Sequence, residues 1–199
     1  MRGQRTLGQY RAIDLCIFAA LLAAFEFLLS RAGLVWYARE AYVVSLAPLI
    51  TAIVMMRWGA WGAVHAALGG VLWILFYGGE SPAWQLYLIY GLGNLGGLAG
   101  LILLKKPGWE RIRSDALRTL GYGAVVLLGM FTGRAALAAA MGLPASAIPQ
   151  YYLPEIVTVL FTLVALWIVR RLDGVFENQR HYLRRVHQEM QSEEEGGSE

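Results

Sequence analysis

The sequence is poor in charge and in cysteine. Only 16% of its 199 residues are charged, against about 25% in soluble domains, and 57% are hydrophobic. Cys16 is the single cysteine, which rules out an intramolecular disulfide and disfavours redox chemistry. No CxxC, HExxH or ATP-binding G-x-x-x-x-G-K-[ST] pattern occurs, and no catalytic Ser/His/Asp or paired-carboxylate set is recognisable. We therefore predict neither an enzyme nor a cofactor or metal site.

Long apolar runs fill most of the chain instead. A helix needs about 20 mostly apolar residues to cross a bilayer. Asp14 and Glu26 interrupt the first run and no cleavage site follows it, so we expect a retained helix and not a signal peptide. Arg57 alone separates the second run from the third, which predicts a tight helical hairpin. The predicted spans are residues 12–30, 41–56, 58–78, 84–104, 120–141 and 151–169.

The predicted fold class is all-α, an integral membrane bundle of six transmembrane helices with both termini cytoplasmic. Residues 1–172 would form one compact substrate-binding domain, with no room for another, and residues 173–199 a cytoplasmic helix with an acidic tail. The orientation rests on the excess of Lys and Arg in cytoplasmic loops. With the N-terminus inside, Arg31 and Arg39 are outside and Arg134 lies within a span. The other basic residues are inside: Arg2, Arg5, Arg11, Arg57, Lys105, Lys106, Arg111, Arg113, Arg118, Arg170, Arg171, Arg180, Arg184 and Arg185. The positive charge thus reflects topology and not nucleic-acid binding.

The segment GLGNLG at residues 91–96 matches the dinucleotide-binding pattern G-x-G-x-x-G. That pattern needs a strand before it and a helix opening at its last glycine, whereas here it lies inside an uncharged apolar run. Small residues four apart let membrane helices pack closely. We therefore predict helix packing through the glycine pairs Gly93/Gly97, Gly96/Gly100 and Gly129/Gly133.

Small residues are also spaced four apart in the first run, as Ala19/Ala23 and Ala20/Ala24. Such a face packs closely either inside the bundle or against a second protein. The spacing leaves both alternatives open.

Two charged residues lie within predicted spans at similar depth. Arg134 is about two turns from the outer end of the fifth span, and Glu155 about one turn into the sixth. A charge in the bilayer costs about 3 kcal/mol and normally faces the bundle interior. One hypothesis is an Arg134–Glu155 ion pair; the other is that Arg134 binds an anionic group of a ligand from outside, and the two are compatible. His65 is expected to be a packed, hydrogen-bonded residue.

Other polar and aromatic residues are predicted at the same depth. Aromatic residues at helix ends are typical of the membrane interface, but an inward-facing subset would line a small-molecule pocket. The candidate substrate-binding residues are Arg134, Glu155, Asn94, Tyr90, Gln85, Tyr151 and Trp73.

The run at residues 44–73 resembles the second and third helices of substrate-binding S components of energy-coupling factor transporters. Pro48, Gly59 and Gly62 match their proline-bearing helix and glycine-rich inner turn, and Ala19/Ala23 and Ala20/Ala24 resemble their AxxxA motif. The resemblance covers nearly the whole chain. It implies a bacterial plasma-membrane subunit that binds a vitamin or related micronutrient in its outer half. The resemblance implies three kinds of partner: a coupling transmembrane subunit that docks on the alanines, ATPase subunits, and membrane lipids. It also implies that the subunit topples in the membrane to release its cargo.

Two other functions stay open. The chain is also similar to the small rod-shape membrane protein of bacterial wall assembly, a structural protein with short-looped helices. A small stand-alone, proton-coupled transporter would need an isolated acid at mid-membrane, and Asp14, Glu26 and Glu155 lie nearer the span ends. Neither the substrate nor the oligomeric state follows from the sequence.

Overall fold

The computed structural model of the chain describes residues 6–36, 44–78, 81–105 and 108–196, and every regular element in these ranges is helical. The helices are α1 (Leu7–Trp36), α2 (Ala47–Trp58), α3 (Gly62–Tyr77), α4 (Ala83–Ile102), α5 (Gly108–Ser114), α6 (Ala116–Ala140), α7 (Ile156–Val169) and α8 (Gln179–Gly196). Short 3-10 helices occupy Gly59–Trp61, Ala145–Tyr151 and Leu153–Glu155.

Five helical segments within the described ranges are long and apolar enough to cross a membrane. They are Leu7–Gly33, Ala47–Tyr77, Ala83–Ile102, Ala116–Ala140 and Ala145–Val169. The all-helical, membrane-type architecture predicted from the sequence is therefore confirmed. Of the predicted features, Arg2, Arg5, Arg39, Lys106, positions 41–43 of the second run and positions 197–199 of the tail lie outside the described residues.

The segment Ala47–Tyr77 folds back on itself as two antiparallel helices. The chain turns at Gly59, whose φ of +65° is a left-handed conformation that glycine adopts without strain. A Cβ at Gly62 would overlap the Met55 side chain, and one at Gly69 would overlap Ala47. These contacts run from the turn to the far end of α2, so the predicted hairpin is confirmed.

Helices α4 and α6 meet along their glycines. A Cβ at Gly96 would overlap the carbonyl oxygen of Gly129, and a Cβ at Gly133 would overlap that of Gly93. Backbone contacts backbone here, as the small-residue spacing predicts. The run through Gly91 is helical on both sides, π-helical over Tyr87–Leu92 and 3-10 over Gly93–Ile102, so it has no strand–turn–helix transition. The dinucleotide-site interpretation is thereby excluded.

One end of the bundle is held together by an ion pair, and we call it the Arg57 end. Asp14 of α1 accepts hydrogen bonds from Arg57 Nε and Nη2, both at 2.7 Å, and from Trp58 Nε1 at 2.5 Å. Arg57 Nη1 donates to the carbonyl oxygens of Gly174 and Val175, the second at 3.0 Å. The first turns of α1, the end of α2 and the segment after α7 therefore meet here.

Helix α1 covers the bundle with one narrow face. Leu22 and Glu26 are fully buried, and Ala23 packs against the core. Ala20 and Ala24 are exposed, on the side of α1 that also presents Ile17, Leu21 and Phe25. Of the two alanine pairs, Ala20/Ala24 is therefore the one that faces away from the core.

Candidate functional site

A buried arginine lies at the end of the bundle opposite Arg57, which we call the Arg134 end. Arg134 is 2% exposed. Its Nη1 donates to Glu155 Oε1 at 2.5 Å, and its Nε donates to Asn94 Oδ1 at 2.7 Å. Asn94 in turn donates through Nδ2 to the Ala66 carbonyl oxygen at 3.0 Å. The predicted Arg134–Glu155 ion pair is confirmed, and it is tied to α4 and α3 as well.

The local sequence of α4 makes this approach possible. Gly93 lies against the backbone of Arg134, where a Cβ would stand 2.8 Å from both its N and Cα atoms. Without a side chain at Gly93, the two helices come close enough for Asn94, the next residue, to reach the guanidinium. The glycine face of α4 thus positions the arginine as well as packing the helices.

Aromatic rings form a row beside the guanidinium. Trp73 stacks on Tyr90 with ring centroids 4.0 Å apart and an interplanar angle of 12°. Tyr77 also stacks on Trp73, with ring centroids 5.7 Å apart, and the Tyr151 centroid lies 6.2 Å from that of Tyr90. Arg134 Cζ stands 5.0 Å from the Tyr90 ring centroid, within cation–π range. Flat apolar surfaces therefore adjoin a charged group at the Arg134 end.

Two buried polar atoms in this cluster lack a hydrogen-bond partner among the described residues. They are the carboxylate oxygen Glu155 Oε2, an acceptor, and the indole nitrogen Trp73 Nε1, a donor. More than nine in ten buried polar groups in proteins are paired, and an unpaired one costs about 1–3 kcal/mol. The cluster therefore holds one acceptor atom and one donor atom whose hydrogen bonds are not supplied by the described residues.

The structure brings together most of the residues predicted for the site. Arg134, Glu155 and Asn94 are joined by hydrogen bonds, and the rings of Tyr90, Tyr151 and Trp73 contact each other or the guanidinium. Gln85 does not join them: it lies in the first turn of α4, half-buried, with no side-chain hydrogen bond to the described part of the chain. His65 is buried, with Nε2 3.1 Å from the Leu15 carbonyl oxygen, as the sequence predicts for a packed histidine.

A second buried acid at the Arg134 end was not predicted as part of any site. Glu26 of α1 is fully buried, and its Oε1 accepts from Ser45 Oγ at 2.6 Å, Leu46 N at 2.8 Å and Ala47 N at 3.2 Å. It thereby caps the N-terminus of α2, where free N–H groups and the helix dipole favour negative charge. Glu26 Oε2 has no partner among the described residues.

The start of α2 connects the two acids. Ser45, whose hydroxyl donates to Glu26, also donates through its backbone N–H to Thr158 Oγ1 at 3.1 Å. Thr158 lies one turn after Glu155 on α7. In the sequence, the signal for Glu26 was an acid in the last third of an apolar run. The structure adds that α2 begins after Leu46, which has no side-chain cap of its own.

No group of three or more His, Cys, Asp or Glu side chains comes together as a metal site within the described ranges. The site is instead built from one arginine, two acids, an asparagine and a row of aromatic rings at one end of an all-helical bundle. Comparison of the chain with protein-family models, with curated proteins and with solved structures finds no match.

Proposed function

We propose that this protein is a membrane-embedded substrate-binding subunit for uptake of a vitamin or related micronutrient. In this role it works with a coupling membrane subunit and ATPase subunits. The observation that carries the proposal is the Arg134 end: a guanidinium 2% exposed, beside stacked rings and two unpaired polar atoms. A binding site uses polar groups of this kind, set among apolar and aromatic side chains, for recognition.

The chemistry of the site supports one class of substrate. Rings such as Trp73 and Tyr90 favour a flat, partly aromatic molecule, because stacked aromatic pairs contribute about 0.5–1.5 kcal/mol beyond their buried area. Glu155 Oε2 would accept a hydrogen bond from it and Trp73 Nε1 would donate one. An anionic group would compete with Glu155 for Arg134. Many vitamins combine such a ring with donor and acceptor edges.

The topology we propose has six spans and cytoplasmic termini in a bacterial plasma membrane. The antiparallel α2–α3 hairpin supports counting Ala47–Tyr77 as two spans. Contacts at the Arg57 end bring the start of α1 and the segment before α8 to the same side of the bundle. A reporter fused after Glu199 should therefore be active only in the cytoplasm. Activity only on the outer side would place the Arg134 end inside the cell and overturn the proposal.

Partner docking is proposed for the exposed face of α1. Ala20 and Ala24 contribute small side chains there. Of the candidate spans, the one in α1 is the least buried, with 11% of its apolar window inside the bundle. The double substitution Ala20→Leu with Ala24→Leu should prevent copurification of a coupling subunit while thermal stability stays unchanged. Ala23→Leu, which faces the core, is the matched control and should destabilise the protein instead. Full copurification by the double variant would exclude this docking face.

The experiment that tests the function is identification of a small molecule retained on purification. Protein extracted from its native membrane in mild detergent would be analysed by mass spectrometry, alongside the folded double variant Arg134→Met with Glu155→Leu. The proposal expects a planar, polar compound on the wild type and its loss from the variant. Equal retention of a compound by both proteins would favour the structural role in wall assembly. So would a wild type that carries no compound and binds none of a set of vitamins offered to it.

A stand-alone proton-coupled transporter is the second candidate, favoured by the burial of Glu26. This carboxylate is 0% exposed and has one unpaired oxygen, as a proton-carrying group in a membrane would need. Liposomes holding the purified chain alone discriminate the two functions. Substrate uptake driven by a pH gradient without ATPase subunits would favour the second candidate, and no uptake would favour the first.

A further inference from the structure

A cleft rich in arginine opens at the Arg57 end, away from the Arg134 site. Its volume is about 570 Å³, and it lies between α5, the end of α7 and the start of α8. Four arginines and two glutamates are among its lining residues. We call it the arginine cleft and define it by Arg113, Arg170, Arg171, Glu177 and Arg185.

The acids of the cleft neutralise only part of this positive charge. Glu177, which is 3% exposed, accepts from Arg113 Nη1 at 2.8 Å and pairs with Arg185 Nη1 at 3.2 Å. Arg113 also pairs with Asp173. Glu110, the second glutamate of the lining, forms no ion pair with these arginines in the described part of the chain. Two of the arginines are therefore already bound to carboxylates.

The other two arginines have no carboxylate partner among the described residues. Arg170 Nη1 reaches only the carbonyl oxygens of Arg113 and Ser114, both at 3.4 Å, and its buried Nε has no hydrogen-bond partner. Arg171 stacks its guanidinium over the Trp167 ring, 5.0 Å from the centroid, and is otherwise exposed. Unpaired guanidinium donors in a cleft are the group that phosphate oxygens bind, because their planar fork matches phosphate geometry.

The cleft lies just beyond the end of a candidate membrane span. Arg170 and Arg171 follow directly on Val169, the last residue of a candidate span, and Trp167 is 41% exposed on that span. Trp at the membrane–water boundary and basic pockets between helices just beyond it are features of anionic headgroup binding. We propose that the arginine cleft binds a phosphate group, supplied by an anionic membrane phospholipid. This inference does not depend on the uptake function.

The test uses the full chain in nanodiscs that contain phosphatidylcholine with a minor share of phosphatidylglycerol. Native mass spectrometry after release from the nanodisc counts the lipid molecules that stay bound. The wild type should retain phosphatidylglycerol in preference to phosphatidylcholine. Arg171→Gln and Arg170→Gln should each weaken this retention about fivefold, the effect of roughly one basic residue at a lipid surface.

Arg184→Gln is the matched control, because Arg184 is an exposed arginine of α8 that does not line the cleft. It removes the same charge and should leave retention unchanged. Arg171 is exposed, so its variant is expected to fold even where Arg170→Gln does not. Equal loss in Arg184→Gln, or no preference for phosphatidylglycerol in the wild type, would overturn the proposal. Binding of inorganic phosphate by a wild type that retains no phosphatidylglycerol would exclude the lipid as the source of the phosphate group.

Discussion

Breaking the Arg134–Glu155 pair from one side should destabilise the protein strongly. Both side chains are buried, at 2% and 5% exposure, and the contact between them is 2.5 Å long. Arg134→Met removes the guanidinium and leaves the buried Glu155 carboxylate without a hydrogen-bond partner for either oxygen. Asn94 Oδ1 also loses the donor that it accepts from. Removing one partner of a buried pair costs about 3–5 kcal/mol.

Removing both partners should cost much less. Apolar residues of similar volume often replace a buried pair without loss, so the double variant Arg134→Met with Glu155→Leu should lie closer to the wild type than either single variant. For a chain of this size, 1 kcal/mol corresponds to about 2–4 °C in Tm, so the single variants should lose about 6–20 °C. Thermal unfolding in detergent, followed by tryptophan fluorescence, measures all four proteins. Additive losses in the double variant would refute the coupling.

The same variants separate a structural arginine from one that binds ligand. Once the compound is known, Arg134 as a ligand contact predicts affinity weaker by about 2 kcal/mol, or roughly thirtyfold, in Arg134→Met at a temperature where that variant is folded. Arg134→Lys should restore only part of it, because a lysine cannot form the planar two-point contact of a guanidinium. Unchanged affinity in folded Arg134→Met would leave Arg134 with the structural role alone.

Three further predictions concern packing and capping. Gly129→Ala should lower Tm by several degrees, because its Cβ would overlap the Gly96 backbone. Gly121→Ala, with open space around it, should be neutral or stabilising by up to about 1 kcal/mol in the same assay. Glu26→Gln keeps an acceptor for the start of α2, so it should lower Tm less than Glu26→Leu, which leaves buried N–H groups unpaired. Equal Tm values for the two variants would contradict the capping role. Asp14→Ala should lower Tm by a few degrees, since it removes three hydrogen bonds at the Arg57 end.

The features that could be predicted from the sequence are those fixed by spacing along one helix or by depth in the bilayer. Glycines four apart on two consecutive runs predicted close helix packing, which the structure places between α4 and α6. The depths of Arg134 and Glu155 gave their pairing as one of two hypotheses, and the pair is present. The hairpin followed from a lone Arg57 between apolar runs. Each of these inferences needed only helix geometry and the cost of polar groups in lipid.

The features that were missed depend on which helix faces meet across the bundle. Glu26 caps a helix that begins about 20 residues later, and Asn94 reaches the Ala66 carbonyl oxygen of another helix. Periodicity does not specify such partners, because any inward face of α1 could have met any neighbour. The arginine cleft was missed for the same reason: Arg113 and Arg170 looked like topology signals until folding placed them in one cavity.

If the proposed uptake function holds, the charges at the Arg134 end favour one kind of substrate over another. Arg134 already faces the carboxylate of Glu155, and Glu26 is held by helix N–H groups and a hydroxyl, with no cation among the described residues. A ligand anion bound at Arg134 would therefore stand beside Glu155, and like charges at short range in a low dielectric repel strongly. A neutral or zwitterionic molecule avoids this repulsion. It can donate to Glu155 Oε2 and accept from Trp73 Nε1 without displacing the pair. Among micronutrients, a neutral heterocycle with donor and acceptor edges fits these groups better than a simple carboxylate.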